Sequence, residues 1–235
     1  MKVLAFDSSA IATSVAVLSE GKLLGEVTLN SSMNHSVTLM PTIDYLITQL
    51  GLSSKELDRI VVSQGPGSYT GLRIAVTTAK TLAYTLKKEL VGLSSLQAIA
   101  LRVPKEEYVV SLMNARRGMV YAGLYKNGEN ILADRYISLL EFLELVSEFS
   151  PLTFTGELED FKEIISKTFP KANQILRGPD NLPSAFEMGK YAENLKAVEN
   201  IHEFNPIYLK KVEAEERWEA SSGQLANDKD LVSFN

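Results

Sequence analysis

The apolar positions of this chain alternate between a strand rhythm and a helix rhythm. Val3-Leu4-Ala5-Phe6 is an unbroken apolar run that stops at Asp7, the pattern of a strand buried on both faces with a carboxylate at its C-terminal end. Thr13 to Leu18 and Leu23 to Leu29 predict two more strands, joined by a hairpin turn at Ser19-Glu20-Gly21-Lys22. Asn30 to His35 is polar and reads as a loop. Leu39, Met40, Ile43, Leu46, Ile47 and Leu50 then form an apolar helical stripe that Gly51 stops, with Ser36 as its cap. Pro41 removes one hydrogen bond from that helix, so it either begins at Met40 or bends there. Ser53-Ser54-Lys55-Glu56 has the form of a capping box and leads into a β-branched strand at Arg59 to Ser63. Leu72, Ala75, Val76, Ala79, Leu82, Ala83 and Leu86 stripe a long helix. A strand at Leu90 to Leu93 and a helix opened by Ser94-Ser95 and running to about Leu101 follow.

Beyond a linker at Val103 to Glu107 the order starts again. Tyr108 to Met113 and Met119 to Tyr125 predict strands, Lys126-Asn127-Gly128 a hairpin turn, and Ile131 to Ile137 a third strand. Ser138 to Glu141 is another capping box, opening a helix to about Glu148; Leu152 to Thr155 is a strand, Leu158 to Lys167 a helix, and Ala185 to Leu195 a last apolar helix. Each half runs strand, strand, strand, helix, strand, helix. A three-stranded meander followed by such crossovers is a ribonuclease H-like core, and two in tandem make the architecture shared by actin, Hsp70 and sugar kinases, the ASKHA superfamily. The expected fold is therefore α/β, with an N-terminal lobe at 1–102, a C-terminal lobe at 103–211, and an acidic, flexible tail at 212–235. In that tail Glu213, Glu215, Glu216 and Glu219 outweigh the cations, and Ser221-Ser222-Gly223 breaks any helix.

Between the Ile60 strand and the long helix lies Gly65-Pro66-Gly67-Ser68-Tyr69-Thr70-Gly71-Leu72-Arg73. A glycine-rich turn at a helix N-terminus can hold an anion, or it can be a tight turn that needs positive φ and close packing. A P-loop needs a lysine that this stretch lacks. The dinucleotide fingerprint needs two residues between its last glycines, and here Ser68, Tyr69 and Thr70 make three.

Composition narrows the chemistry. The 235 residues carry a formal charge of −5, which argues against unaided binding of nucleic acid. With no cysteine, disulfides, thiolate chemistry and cysteine zinc sites are excluded. Only His35 and His202 supply imidazole. His35 is followed four positions later by Leu39 rather than a second histidine, so no helical metal pair forms and no metal site is expected. The N-terminal apolar run is too short for a signal peptide and no run reaches membrane-spanning length, so a cytoplasmic protein is expected.

In a two-lobed fold of this kind a nucleotide sits between the lobes, its phosphates gripped by the first hairpin turn of each half. Asp7, Ser8 and Ser9 occupy that place in the first lobe, and Arg116 and Arg117, after Asn114-Ala115, in the second. These five are the candidate anion or nucleotide residues. An amide replaces the second carboxylate, and the adenosine-binding glycine pair is reduced to Thr155-Gly156-Glu157, so the phosphotransfer parts look incomplete.

Six segments carry a resemblance: Ala5-Phe6-Asp7-Ser8-Ser9, His35-Ser36 before Leu39-Met40-Pro41, the glycine stretch through Arg73, Ser94-Ser95-Leu96, Ala115-Arg116-Arg117-Gly118 with Val120-Tyr121, and Pro206-Ile207-Tyr208-Leu209. Together they resemble the TsaB (YeaZ) family, the dimerisation subunit of the bacterial tRNA threonylcarbamoyladenosine machinery. The resemblance implies a non-catalytic paralogue that pairs with TsaD, the transferase subunit, and with the ATPase TsaE. It also implies that tRNA is met only through the complex and that the chain is a homodimer when alone. No cofactor is then bound tightly, with ATP or ADP confined to an interface shared with the partner. Asn114 departs from the aspartate of many relatives, and the tail after Lys211 has no family counterpart.

The long helix carries a separate signal. Opposite its apolar stripe lie Ile74, Thr77, Thr78, Thr81 and Thr85, where a solvated face would carry Lys and Glu. Threonine is a mediocre helix former, so propensity does not explain it. This face, flanked by Arg73 and joined by Leu39, Met40 and Ile43 of the earlier helix, is the candidate interface with TsaD or a second copy; burial against the chain's own elements is the competing explanation. Gly65, Gly67 and Gly71 then shape the turn that aims the helix, and Ser68 or Thr70 caps it. Two other functions stay open. A kinase or ATPase of the same fold would need the missing carboxylate and glycine pair. A hydrolase would need Ser8, Ser9 or Ser68 as nucleophile, without a Gly-x-Ser-x-Gly elbow.

Overall fold

The structure, a computed structural model, describes residues 1–30, 35–103, 107–175 and 178–210. Loop residues 31–34, the side chains of His35 and Ser36, linker residues 104–106, residues 176–177 and the tail from 211 onward lie outside what is described, while the backbone of His35 and Ser36 already belongs to the first helix. The first half contains β1 (Lys2–Asp7), β2 (Ala12–Ser19), β3 (Lys22–Asn30), α1 (His35–Gln49), β4 (Arg59–Gly65), α2 (Tyr69–Leu86), β5 (Glu89–Ser94) and α3 (Ser95–Ala100). The second contains β6 (Tyr108–Asn114), β7 (Met119–Lys126), β8 (Glu129–Ser138), α4 (Leu139–Leu145), β9 (Leu152–Gly156), α5 (Lys162–Thr168), β10 (Asn173–Gln174) and α6 (Ala185–Ala192).

The two five-stranded sheets have matching orders, β3-β2-β1-β4-β5 and β8-β7-β6-β9-β10. In each, an antiparallel meander leads to parallel strands added by crossover, which is the expected ribonuclease H-like topology, twice. Both hairpins use positive φ, at Glu20-Gly21 and at Asn127-Gly128, as two-residue turns that match strand twist require. Pro41 lies inside α1, which runs through it from His35. The carbonyl of Val37 loses its helical partner there, but Val37 and Pro41 are both exposed.

Val3, Leu4, Ala5 and Phe6 of β1 are fully buried, and their alternation sends them to different cores. Leu4 and Phe6 pack with Leu39, Ile43 and Leu46 of α1 and Ala75, Val76, Ala79 and Ala83 of α2. Val3 and Ala5 pack with Ala98 of α3 and Ala185, Met188 and Ala192 of α6. Helix α6 therefore crosses back onto the first sheet. Gly189 allows this, since a Cβ there would meet Leu18 Cδ1 at 2.6 Å. The buried Arg59 fixes the helix end by donating to the carbonyls of Ala192, Glu193 and Leu195 while pairing with Glu89 at 2.6 Å.

The chain stays on the first half after α6. The Val198 N–H bonds Leu90 O at 2.8 Å, Phe204 enters the α1/α2 core, and the Ile207 N–H bonds Gln64 O at 2.7 Å. Residues 185–208, expected in the C-terminal lobe, thus pack on the first sheet. Nothing in the apolar pattern of α6 says which sheet it covers. Helix α5 starts at Lys162 rather than Leu158, because the Glu157 N–H bonds Leu112 O and the Phe161 N–H bonds Leu158 O in a tight turn.

Helix α3 wedges between the sheets, its Leu96, Ile99 and Ala100 packing on Val109, Met113 and Tyr125 of the second. Ser94 caps α3 by accepting from the N–H groups of Leu96 and Gln97 at 3.1 and 3.3 Å. Its hydroxyl also donates to Asp134, which accepts from Tyr125 and, at 3.2 Å, from Asn130. Burial raises the Asp134 pKa above its ordinary 3.8, against the opposing effect of those hydrogen bonds. The folded state therefore holds this proton more tightly than the unfolded chain. The stability gained is fully present below the unfolded value and is lost as pH rises through the folded one. Urea unfolding across about pH 4 to 7 should accordingly show the stability advantage of wild type over Asp134→Asn shrinking as pH rises; an advantage that grows would contradict the assignment.

Candidate functional site

The two turns singled out in the first lobe press directly on each other. Gly65 and Gly67 have φ of 124° and 155°, a region that side chains rarely adopt. A Cβ at Gly67 would fall inside 3.0 Å of Ser9 O, one at Gly71 would do so with Ser8 O, and one at Gly65 with Ile207 O. The Ser68 N–H donates to Ser9 O at 2.7 Å, and Ser68 Oγ accepts from the Gly71 N–H at 3.3 Å. Ser68, not Thr70, is the cap of α2. The Ser8 hydroxyl reaches back to Gly71 O at 3.0 Å. Asp7 is fully buried and takes the Ser9 hydroxyl at 2.7 Å and the Ser9 N–H at 3.3 Å. Asp7 and Ser8 are both 0% exposed, and the hydrogen bonds described here for them serve the turn.

The second-lobe turn keeps its cations outside. Asn114 Oδ1 accepts from the Arg116 N–H at 2.8 Å, while Arg116 and Arg117 take φ of 68° and 55° and are exposed. The Asn114 N–H donates to Glu157 at 2.8 Å and its amide to Asp160 at 2.7 Å. Burial raises the Glu157 pKa; the Asn114 N–H works against this and nearby Asp160 adds to it. A cleft of about 280 Å³ between the lobes brings together Ser9, Ser68, Asn114, Arg116, Glu157 and Lys210; Arg117 does not line it. The N–H groups of Ser68 and Asn114, donors of the kind a phosphate uses, are spent on Ser9 O and Glu157.

The exposed face of α2 holds Thr70, Arg73, Thr77, Thr81, Tyr84 and Thr85, while Thr78 and Ile74 are half-buried. Ile74 packs on the chain's own core, as do Leu39 and Ile43, which are 0% and 2% exposed. Leu39 and Ile43 leave the candidate interface for that reason. Helix α1 packs beside α2 and exposes Val37 at 65%, Met40 at 45% and Tyr45 at 57%, while Tyr84 of α2 is 62% exposed. The result is a two-helix surface of threonines and large apolar side chains, with Asp44 as the acidic residue of α1 and none on α2.

Comparison with known proteins follows the same lines. The model of the TsaD family, described as tRNA N6-adenosine threonylcarbamoyltransferase, matches residues 22–218. The tRNA threonylcarbamoyladenosine biosynthesis protein TsaB of Bacillus subtilis is 34% identical over 225 residues, 93% of this chain and 98% of that protein. The chain belongs to the TsaB family. Among solved structures, YeaZ from Pseudomonas aeruginosa has a TM-score of 0.70 at 25% identity, covering 88% of this chain and 99% of that one. A ROK hexokinase from Thermus thermophilus, at 12% identity and a TM-score of 0.50 over 82% of this chain and 99% of that one, shares the fold.

Within this TsaB-family chain, sequence reasoning missed Glu157 and Lys210 in the cleft and Tyr45 and Tyr84 on the helices. Tyr84 sits one position from Thr85 on the same exposed face, so its spacing was available. It also missed the strap at residues 198–208, whose hydrogen bonds to Leu90 and Gln64 are long-range and leave no periodic trace. Gly71→Ala tests the turn. Its Cβ would strike the Ser8 carbonyl, backbone rather than a side chain that can swing away, so a loss of about 2–3 kcal/mol is expected. That corresponds to a Tm drop of about 4–12 °C for a chain of this length. An unchanged melting curve would contradict the close contact.

Proposed function

We propose that the chain is a non-catalytic subunit of tRNA threonylcarbamoyladenosine biosynthesis in the cytoplasm, docking a TsaD-like transferase subunit through the exposed faces of α1 and α2. The observation that carries this reading is the composition of that surface. Val37, Met40, Tyr45, Thr77, Thr81, Tyr84 and Thr85 are exposed together on two adjacent helices, where single scattered apolar residues would be ordinary. Short threonine side chains let a partner helix approach closely, and flanking aromatic side chains supply anchoring area. The names of the relatives supply the pathway, and a TsaE-like ATPase completes the complex. A net charge of −5 suits a subunit that meets tRNA only through its partners. The same face offers a homodimer contact when the partner is absent.

The interior cleft supports the non-catalytic part. Two of its phosphate-type donors, the N–H groups of Ser68 and Asn114, are engaged, and Asn114 stands in place of a second carboxylate, so neither kinase chemistry nor tight nucleotide binding is favoured; ATP or ADP fits only a site completed by the partner. Hydrolysis is disfavoured too, since the hydroxyls of Ser8 and Ser9 are committed to Gly71 O and Asp7 and His202 packs edge-on to Tyr84 at the outer face of α2.

Thr77 and Thr81 are exposed, so replacing both with arginine should leave the melting temperature unchanged. Association with the TsaD-like subunit, followed by light scattering, should weaken by about 100-fold or more, the scale of a charge forced into a packed interface. Modification of tRNA by the reconstituted mixture should fall in parallel. Undiminished association would remove this reading.

A further inference from the structure

Helix α2 carries Arg73 and Lys80 and no Asp or Glu along its 18 residues, in a chain whose formal charge is −5. Both cations line one groove of about 450 Å³, walled on its other side by the strap residues Phe204, Asn205, Pro206 and Tyr208, and no lining residue is acidic. Neither cation forms an ion pair among the described residues. Glu203, next to the groove in sequence, is engaged by Asn200 Nδ2 at 2.7 Å.

The groove is held in shape without a ligand. The Arg73 guanidinium lies 4.4 Å over the Tyr69 ring, and Tyr69 stacks on Tyr208 at 5.1 Å. A hydrogen bond to Tyr208 also holds the guanidinium, and its remaining N–H donors can meet a carboxylate. Lys80 Nζ donates to His202 O at 2.9 Å, which leaves two of its three protons. The two cations are seven positions apart, roughly 10 Å along the helix axis.

We propose that this groove receives a segment of the partner subunit bearing two carboxylates about two helical turns apart, the acidic flank of a partner helix. The proposal rests on α1/α2 being the partner-facing surface, and it names the chemistry that selects the partner there. A second copy of this chain fits poorly, because its α1 and α2 together offer one carboxylate, Asp44. In an acidic chain, a local cationic groove also steers an acidic segment into register and raises the association rate.

Binding of the TsaD-like subunit, measured by biolayer interferometry at about 50 and about 300 mM salt, tests this. Wild type, Arg73→Gln/Lys80→Gln, Arg73→Lys and Thr77→Arg/Thr81→Arg are compared, with circular dichroism as the fold control. The double glutamine variant should bind about 10- to 100-fold more weakly at low salt, mainly through slower association, with a flatter salt dependence. Arg73→Lys, which keeps the charge without the fork, should fall between the two. Self-association by light scattering should be unchanged. Wild-type affinity and salt dependence in the double glutamine variant, with binding abolished in Thr77→Arg/Thr81→Arg, would overturn the groove and leave the partner face standing. Loss of self-association in the glutamine variant would make a second copy the occupant and overturn the assignment. Equal binding by wild type and Thr77→Arg/Thr81→Arg would overturn both readings.

Discussion

Backbone meeting backbone at three glycines is the constraint on which the rest of this structure depends. The turn after β4 lies on the turn after β1, so closely that the carbonyls of Ser8, Ser9 and Ile207 occupy the space of any Cβ at Gly71, Gly67 and Gly65. This contact sets where α2 begins. Ser68 caps the helix there, and its direction then follows from the buried stripe of Ala75, Val76, Ala79 and Ala83 over β1 and β4. The outward face of α2 is what remains. The glycines thus act on function indirectly, through the aim of a helix, and they use up the space and donors that an anion would have needed.

A second consequence is that the two halves are tied together several times over. Helix α3 is buried between the sheets, α6 returns from the second half to cover the first, and the strap continues along β5 and α2. Arg59, buried, and Asp134, half-buried, are polar anchors at two of these crossings, each with several hydrogen bonds, as polar groups withdrawn from water need. Among the described residues no helix is long and apolar enough to cross a membrane.

Much of this was legible in the sequence, for identifiable reasons. The strand and helix rhythms, both hairpins and the repeated order of elements depend on local spacing, and they returned the topology of both sheets. The threonine-rich face of α2 was visible because threonine is out of place on a solvated helix. What was not legible was long-range. Leu39 and Ile43 read equally well as interface or core, and only the approach of β1 and α2 decides for core. The destination of α6 depends on Gly189 meeting Leu18, which no pattern within α6 reveals. Asp7 accepts from the neighbouring Ser9, and a two-residue reach of that kind is indistinguishable in sequence from an open turn.

The central claim is that the exposed α1/α2 surface is a partner's docking face. Hydrogen exchange of the full chain, alone and with the TsaD-like subunit, addresses it most directly because it reads every backbone amide without a substitution. The account predicts added protection concentrated in α1 and in α2 from Arg73 to Thr85, with the sheet and α4 unchanged. Unaltered exchange in both helices, with protection appearing instead on α4 or α5, would contradict it.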